Sequence, residues 1–311
     1  MILTTEQKVR WFKLTRVPKL GPVKILRLFS LVKNVDEIFS MSDNELLATR
    51  CFSEPMLSDF HNLKNASDEN FLKAIDECGE NNIKILPIID PEYPSFLKVI
   101  PYPPLTLFLK GDTGLLYKKK VAIVGSRKAD EHSKKWAYGL AQDLVKLDFT
   151  VVSGGAVGVD YSAHIGALDA KGKTICILGS GFFKMFPEKH LELFTEIGKK
   201  GLLISEHLPN FPGSNIALVQ RNRITSGISN ALVMVASGER GGAMVQTKMA
   251  FEQKIPIFCP EMSLNLKPNE GISQVINEWK GIEIRNCDDI FTSLLKLKKE
   301  EKLPSKIAPF V

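Results

Sequence analysis

Residues 121–130 read VAIVGSRKAD, a short apolar run that ends in glycine and polar residues. Similar short runs return five times before residue 261, and helix-length stretches separate them. These runs are TVVSGG (150–155), TICILG (174–179), LLISE (202–206), ALVMVA (231–236) and IPIFCP (255–260). Apolar β-branched runs that alternate with helices are typical of a parallel sheet covered on both faces. The sequence therefore predicts an α/β fold over residues 118–295, a Rossmann-like, doubly wound and mostly parallel sheet.

A different pattern precedes this sheet. Apolar residues recur at helical spacing near the amino terminus, and Ser42-Asp43 and Ser53-Glu54-Pro55 are typical helix starts. These features predict a small all-α domain over residues 1–82.

The next segment is rich in proline. Residues 85–111 contain six prolines, which exclude a helix and favour extended structure. We therefore predict an extended connector over residues 83–117. The carboxy-terminal residues 296–311 are predicted to form a charged tail.

Composition limits the class of protein. The chain has 311 residues, of which 44% are hydrophobic and 24% are charged, close to the average of globular proteins. This composition excludes a disordered, collagenous or coiled-coil protein. No apolar stretch reaches the ~18 residues of a membrane span, and the amino terminus does not resemble a secretory signal. Five widely spaced cysteines without a CxxC pair predict buried, reduced thiols and a cytoplasmic location.

The net charge is unevenly distributed. Of the total of +6, residues 1–117 contribute −1, residues 118–290 contribute +4 and residues 291–311 contribute +3. A basic excess permits nucleic-acid binding but does not establish it.

The loops at the strand ends contain the candidate ligand-binding residues. In open α/β sheets, ligands bind beyond the carboxyl ends of the strands, where loops expose backbone N–H groups. One glycine loop alone is more often a turn into a helix, but several such loops with three arginines predict an anion pocket. The candidates are Gly125, Ser126, Arg127 and Lys128 after the first strand, Ser153, Gly154 and Gly155 after the second, Gly181 after the third, and Arg221, Asn222 and Arg223 after the fourth.

Asp160 and His164 lie four residues apart on the helix after the second glycine loop. They could form an acid–base or metal pair, but a hydrogen bond that supports the loop is the favoured interpretation. No third metal ligand accompanies them, and neither an HExxH motif nor a GxSxG elbow is present. The first loop also departs from the G-x-G-x-x-G dinucleotide pattern. We expect no metal and no organic cofactor.

Three motifs follow one another in the chain: GSR (125–127), SGGAVGVDYSAH (153–164) and RNRITSG (221–227). Together they resemble the DprA/Smf family of DNA-processing proteins, and the resemblance extends from Tyr93 to Leu294. It implies a small SAM-like helical domain followed by a Rossmann-like core. It also implies a protein that binds single-stranded DNA without catalysing a reaction, forms a homodimer, protects incoming strands, and helps to load RecA in natural transformation or recombination.

The same resemblance implies roles for individual residues. The candidates in the glycine loops and in the RNR motif would contact the DNA strand, and Asp160 and His164 would support the loops. Shallow cationic grooves with aromatic side chains suit single strands. Phe182, Phe183 and Phe186 follow the third loop, where they could stack on bases or pack in a core or dimer interface.

The chain departs from the family pattern in three places. Residues 217–220 read ALVQ where the family usually has NFP before RNR, and residues 241–247 read GGAMVQT where it has SGSLITA. Only about 20 residues follow Ile290, so we expect the family's carboxy-terminal winged-helix domain to be absent.

Two alternatives to strand binding remain. Residues 241–252 faintly resemble the P-G-G-x-G-T-x-x-E motif of LOG-type nucleotide phosphoribohydrolases, although Lys248 stands at the position of the catalytic glutamate. Met244 replaces a glycine of that motif, and Arg240 replaces its proline. The other alternative is a nucleotide-sensing module with the same fold.

Overall fold

The computed structural model describes residues 3–300 and 302–303. The described residues form two compact units, of which the first comprises those up to residue 98 and residues 102–107, and the second residues 99–101 and those from residue 108 onward. The boundaries predicted at residues 82, 117 and 295 stay a prediction, because compactness does not show where a domain folds by itself. Residue 301 and residues 304–311 of the predicted charged tail lie outside the described part.

The first unit is mainly helical. Its elements are α1 (Thr5–Leu14), α2 (Pro22–Leu31), α3 (Val35–Ser40), α4 (Asp43–Ala48), α5 (Glu54–Asn65), α6 (Glu69–Glu80), β1 (Lys84–Pro87) and α7 (Ser95–Lys98). The two predicted helix starts are confirmed. Ser42 caps α4 in a capping box with Glu45, and Ser53 precedes α5 with Pro55 in its first turn.

The proline-rich segment is not extended throughout. The prediction that it excludes a helix is wrong at α7, a single turn that follows Pro94. Proline is tolerated at the start of a helix, because the first-turn N–H groups have no partner within the helix.

The second unit contains the predicted sheet. Its strands are β2 (Thr106–Gly111, of which residues 108–111 belong to this unit), β3 (Lys120–Val124), β4 (Thr150–Ser153), β5 (Thr174–Ile177), β6 (Leu202–Ser205), β7 (Ala231–Met234), β8 (Ile257–Pro260) and β9 (Ile282–Ile284). The helices are α8 (Glu131–Lys146), α9 (Val159–Asp169), α10 (Leu191–Lys200), α11 (Asn215–Gln220), α12 (Asn222–Ile228), α13 (Gly242–Glu252), α14 (Ile272–Trp279) and α15 (Cys287–Lys299). All six predicted strands are confirmed.

The strand order of this unit is β2-β6-β5-β4-β3-β7-β8-β9. All neighbouring strands are parallel except β2 and β6, which pair in the antiparallel direction. The chain runs from β3 outward to β6 and then returns to the other side of β3 as β7. The Rossmann-like, doubly wound sheet is therefore confirmed, and the loops after β3 and β7 diverge at its topological switch point.

One face of the sheet is covered by α8, α9 and α15. Their apolar side chains form a continuous buried cluster with β3, β4 and β7. Outside this cluster, α12 contacts β3 and β5, and α13 contacts β7 and β8. Packing on the strands thus fixes where α12 and α13 begin relative to the loops.

All five cysteines are buried and free, as the sequence predicts. None of the helices in the described part of the chain has both the length and the apolar character needed to cross a membrane.

Candidate functional site

A cavity of about 420 Å³ lies at the carboxyl ends of β3, β4 and β7, beside the topological switch point. We call it the switch-point cavity. Its walls come from the loops after these strands and from the helices α9, α11, α12 and α13. It is lined by Gly125, Ser126, Arg127, Ala156, Asp160, Asn215, Leu218, Val219, Arg221, Asn222, Ser237, Gly241, Gly242, Ala243 and Gln246.

The first loop presents an unpaired cation. The Ser126 N–H donates to the Ala236 carbonyl at 2.8 Å, which joins the loops after β3 and β7, and the Lys128 N–H donates to Ser126 Oγ at 3.0 Å. Arg127 and Lys128 are exposed. Arg127 lines the switch-point cavity and makes no ion pair or side-chain hydrogen bond with any described residue. Its guanidinium is therefore available to an anion.

Arg221 lies below the surface, against the second glycine loop. Its side chain is 5% exposed, and its Nη1 donates to the Ile177 carbonyl at 2.9 Å. A Cβ atom at Gly154 would lie 1.4 Å from that same Nη1, so any larger residue would displace the guanidinium. Only glycine at this position leaves room for the arginine.

A buried carboxylate accompanies Arg221. Asp160 Oδ2 lies 3.7 Å from Arg221 Nη2 and accepts a hydrogen bond from the Ala156 N–H at 3.3 Å. Burial raises the pKa of the Asp160 carboxyl, whereas the charge of Arg221 acts to lower it. The pair forms the floor of the switch-point cavity, and Asp160 holds the glycine loop through its backbone.

The other residues of the second loop are enclosed as well. Ser153 is fully buried, and its Oγ donates to the Ile123 carbonyl at 2.7 Å. Gly155 is buried and has a φ of +74°, a conformation that favours glycine. Both residues are buried within the loop, and their assignment as DNA contacts stays a prediction.

Arg223 is turned away from the switch-point cavity. Its guanidinium makes two bonds to the Glu206 carboxylate, at 2.7 and 2.5 Å, and both side chains are 14% exposed. Arg221 lines the switch-point cavity, whereas Arg223 is not among the residues of its lining. Asn222, at the start of α12, does line the cavity. The structure thus brings Arg127 and Arg221 together and places Arg223 elsewhere.

Gly181 also lies outside the cavity lining. Its N–H donates to the Phe211 carbonyl at 2.8 Å, and a Cβ atom there would lie 2.2 Å from the Leu208 carbonyl oxygen. Close approach of two backbone segments explains this glycine. Its role in DNA binding stays a prediction.

Two buried histidines have different partners. His164 Nδ1 lies 2.7 Å from Thr174 Oγ1, and burial lowers the pKa of its imidazole to about 3, so the ring is neutral. His190 contacts the glycine loop, since its Nδ1 lies 3.0 Å from the Gly155 carbonyl. The role of His164 as a loop support stays a prediction. Sequence analysis did not identify His190, because no motif links it to a loop 35 residues away.

The three phenylalanines after the third loop differ in exposure. Phe182 is 4% exposed, Phe183 36% and Phe186 51%. Phe186 and Arg127 both line a smaller cavity of about 90 Å³ beside the switch-point cavity. Of the three rings, Phe186 is therefore the one placed near the unpaired cation.

Comparison with known proteins agrees with this arrangement of the core. The family model described as DNA recombination-mediator protein A matches residues 84–295. The chain belongs to this family. The resemblance to DprA/Smf proteins inferred from the three motifs is thus confirmed.

Members of the family with curated sequences match over most of the chain. DNA processing protein DprA of Bacillus subtilis is 33% identical over 236 residues, which are 75% of this chain and 79% of that protein. Protein Smf of Synechocystis is 28% identical over 279 residues, which are 88% of this chain and 70% of that protein.

Two solved structures of family members are similar to this one. DprA of Streptococcus pneumoniae matches with a TM-score of 0.77 and 24% identity, over 94% of this chain and 98% of that chain, and supports the fold. DNA processing protein A of Helicobacter pylori matches with a TM-score of 0.62 and 28% identity, over 69% of this chain and 96% of that chain. The Helicobacter pylori structure gives insight into the single-stranded DNA binding mode of that protein.

Two of the three departures expected from the family pattern, residues 217–220 and 241–247, contribute residues to the lining of the switch-point cavity. The altered lead-in to the RNR motif forms α11 and contributes Leu218 and Val219. The altered stretch 241–247 forms the first turns of α13 and contributes Gly242 and Gln246.

Proposed function

We propose that this chain binds single-stranded DNA, protects incoming strands, and aids RecA loading in natural transformation or recombination. The observation that carries the proposal is Arg127, an exposed and unpaired guanidinium beside a cavity at the switch point of the sheet. A guanidinium binds phosphate oxygens with two parallel hydrogen bonds. The proposed homodimer and the RecA partnership rest on family membership, and the proposed cytoplasmic location rests on the pattern of free cysteines.

The aromatic ring beside Arg127 supports a strand as the ligand. Single-strand binding combines cations that follow the backbone with aromatic rings on which bases stack. Phe186 is 51% exposed and lines the small cavity together with Arg127. A phosphate on Arg127 would thus place the adjoining base within reach of Phe186.

The cavity chemistry favours binding over nucleotide hydrolysis. Asp160 is the carboxylate among the described residues that line it, and that group is buried against Arg221. A general base needs to reach its substrate or a water molecule, whereas the Asp160 carboxylate is buried in the cavity floor beside Arg221. Lys248 is exposed at the position where the hydrolase motif has glutamate.

The decisive experiment compares two single-charge variants by fluorescence anisotropy with a labelled oligo-dT. Arg127→Ala is expected to weaken binding by about tenfold or more, because a bidentate charged contact is lost. Its slope of log K against log salt is expected to fall by about 0.7, the value for one phosphate of a single strand.

Arg223→Ala is the matched control, because it removes the same charge from a residue that is paired with Glu206 outside the cavity. We expect a smaller loss for this variant. Equal affinities of Arg127→Ala and the wild type would contradict the proposal. Release of free base from a nucleoside monophosphate would support the hydrolase alternative instead. The proposed role in RecA loading is tested with DNA strands covered by a competing single-strand binding protein. On such strands the chain should accelerate the assembly of RecA filaments.

A further inference from the structure

The edge of the sheet opposite the switch-point cavity is rich in lysine. The amino ends of β3, β4 and β5 lie at this edge, together with the turns that lead into them. Lys118 and Lys119 precede β3, and Lys171 and Lys173 stand on either side of the glycine before β5. We call these four residues the lysine rim.

Backbone hydrogen bonds place the lysine rim around the start of β4. The Lys119 carbonyl accepts a bond from the Thr150 N–H at 2.8 Å, and the Lys173 carbonyl accepts one from the Val151 N–H at 3.2 Å. The two lysines therefore lie on opposite sides of β4, and the spacing of neighbouring strands separates their backbones by about 10 Å. At ~3.4 Å per nucleotide, about three nucleotides of a DNA strand cover that distance.

The positive charges of the rim are not balanced. Three of the four side chains are exposed, and that of Lys119 is half-buried with its Nζ over the Phe149 ring, 5.1 Å from the ring centroid. None of the four makes an ion pair with a described residue, whereas Lys146 and Lys200 on the neighbouring helices are paired with carboxylates. Asp148, in the turn before β4, lies between the two pairs of rim lysines, so positive charge exceeds negative charge there.

Helix ends explain only part of the rim. Basic side chains stabilise the carboxyl end of a helix, because the helix dipole is negative there. Lys171 follows α9 and fits this role. Lys119 and Lys173 each stand directly before a strand, beyond the last turn of any α-helix, so the helix dipole does not account for them.

An aromatic ring accompanies the charges. Tyr117 is 53% exposed and stands directly before the rim in the chain. Proteins that bind single strands combine cations that follow the backbone with rings on which bases stack. The same combination is present at this edge of the sheet.

We propose that the lysine rim and Tyr117 form a second surface for single-stranded DNA, separate from the switch-point cavity. α8 runs from the cavity edge of the sheet to the rim edge, and its 16 residues measure about 24 Å. One phosphate therefore cannot contact both sites. This inference rests on the proposed function and adds a second contact region to it.

The test uses a rim variant that combines Lys118→Gln, Lys171→Gln and Lys173→Gln. The matched control is Lys280→Gln. Lys280 is exposed at the same sheet edge and has a φ of 57°, close to the 59° of Lys171, but it precedes β9, three strands beyond β3. Binding of a long labelled oligo-dT by the full chain is measured by anisotropy across a salt series, and thermal unfolding checks the fold.

We expect the rim variant to bind oligo-dT about tenfold more weakly or worse at low salt. Its slope of log K against log salt should fall by about 2, because three phosphate contacts of ~0.7 each are lost. Lys280→Gln should keep the wild-type slope. Asp148→Asn removes the carboxylate between the lysines and should strengthen binding by about two- to fivefold. All these side chains are exposed, so the melting temperatures should stay close to that of the wild type.

The ring is tested separately. Tyr117→Ala should weaken oligo-dT binding by about fivefold or more, because a base loses its stacking partner. Tyr117→Phe keeps the ring and should bind as the wild type does.

Arg127→Ala distinguishes this inference from the proposed function. Sites this far apart act independently, so the rim changes should lower affinity by the same factor in Arg127→Ala and in the wild type. If Arg127→Ala loses binding while the rim variant keeps it, only this inference fails. If the rim variant loses binding while Arg127→Ala keeps it, the assignment of the strand to the cavity fails and the rim surface stands.

Three results would overturn the inference. The first is wild-type affinity and salt slope in the rim variant, and the second is an equal loss in Lys280→Gln. The third is an equal loss for duplex and single-stranded DNA in the rim variant together with wild-type binding by Tyr117→Ala, which would assign the rim to duplex DNA.

Discussion

Gly154→Ala is expected to destabilise the second unit strongly, although the change adds one methyl group to a loop. The new Cβ would lie 1.4 Å from Nη1 and 1.9 Å from Cζ of Arg221, so the guanidinium must leave its site. It would lose its 2.9 Å bond to the Ile177 carbonyl and its position beside Asp160. Asp160 would then be a buried carboxylate without a counter-charge.

The size of the effect follows from that loss. Removing one partner of a buried ion pair costs about 3–5 kcal/mol of folding free energy. In a domain of this size each kcal/mol lowers the melting temperature by about 2–4 °C, which gives a decrease of roughly 6–20 °C. Differential scanning calorimetry and urea unfolding measure both quantities.

Gly139→Ala is the matched control, because Gly139 lies inside α8 and a Cβ atom there meets nothing within 4 Å. That change should stabilise the protein by about 0.5–1 kcal/mol. In an Arg221→Met background, Gly154→Ala should lower the free energy of unfolding much less than in the wild type, because the methionine that then meets the new Cβ is shorter than arginine and uncharged. A melting temperature of Gly154→Ala within about 2 °C of the wild type would refute the reasoning.

Two further predictions concern a buried lysine and an exposed ring. Burial lowers the pKa of Lys120 from 10.5 to about 7. Between these pH values the unfolded chain binds one proton more than the folded chain, so the free energy of unfolding should rise with pH by up to about 1.4 kcal/mol per pH unit. Urea unfolding of the wild type and of Lys120→Met at several pH values tests this. An equal dependence of the unfolding free energy on pH in both proteins would contradict the prediction. Phe186→Ala should weaken oligo-dT binding by about 1–3 kcal/mol without lowering the melting temperature. Phe183 lies outside the small cavity that Arg127 lines, so Phe183→Ala should leave oligo-dT binding unchanged. Equal losses of affinity for the two variants, measured by anisotropy, would exclude stacking on Phe186.

Much of the fold could be predicted because its signals are local. The six apolar runs between residues 121 and 260 each became a strand, and the serines at 42 and 53 mark helix starts. The strands and helices that the sequence did not predict have weak local sequence patterns. β9 has only three residues, and β2 and α7 lie in the proline-rich segment, where proline content favours neither a paired strand nor a helix.

The candidate site was predicted less completely. The loops that line the switch-point cavity were identified, since glycine and polar residues follow buried strands at one sheet edge. The assignment of individual side chains was not, because exposure depends on packing. Arg221 is buried and Arg223 is paired with Glu206, although both belong to the same tripeptide. His190 gave no sequence signal, although its Nδ1 lies 3.0 Å from the Gly155 carbonyl.

The sequence alone thus determined the six strands between residues 121 and 260, the position of the glycine loops and the family. Hydrophobic periodicity and turn residues act over a few neighbours, so they can be read from the chain. Only the tertiary structure decided which polar groups face the cavity. Arg221 is held by Gly154, Asp160 and Ile177, which come from separate loops, strands and helices. Contacts between such distant segments exist only once the sheet has assembled, and among the residues that the structure describes they leave the Arg127 guanidinium at the cavity without a partner.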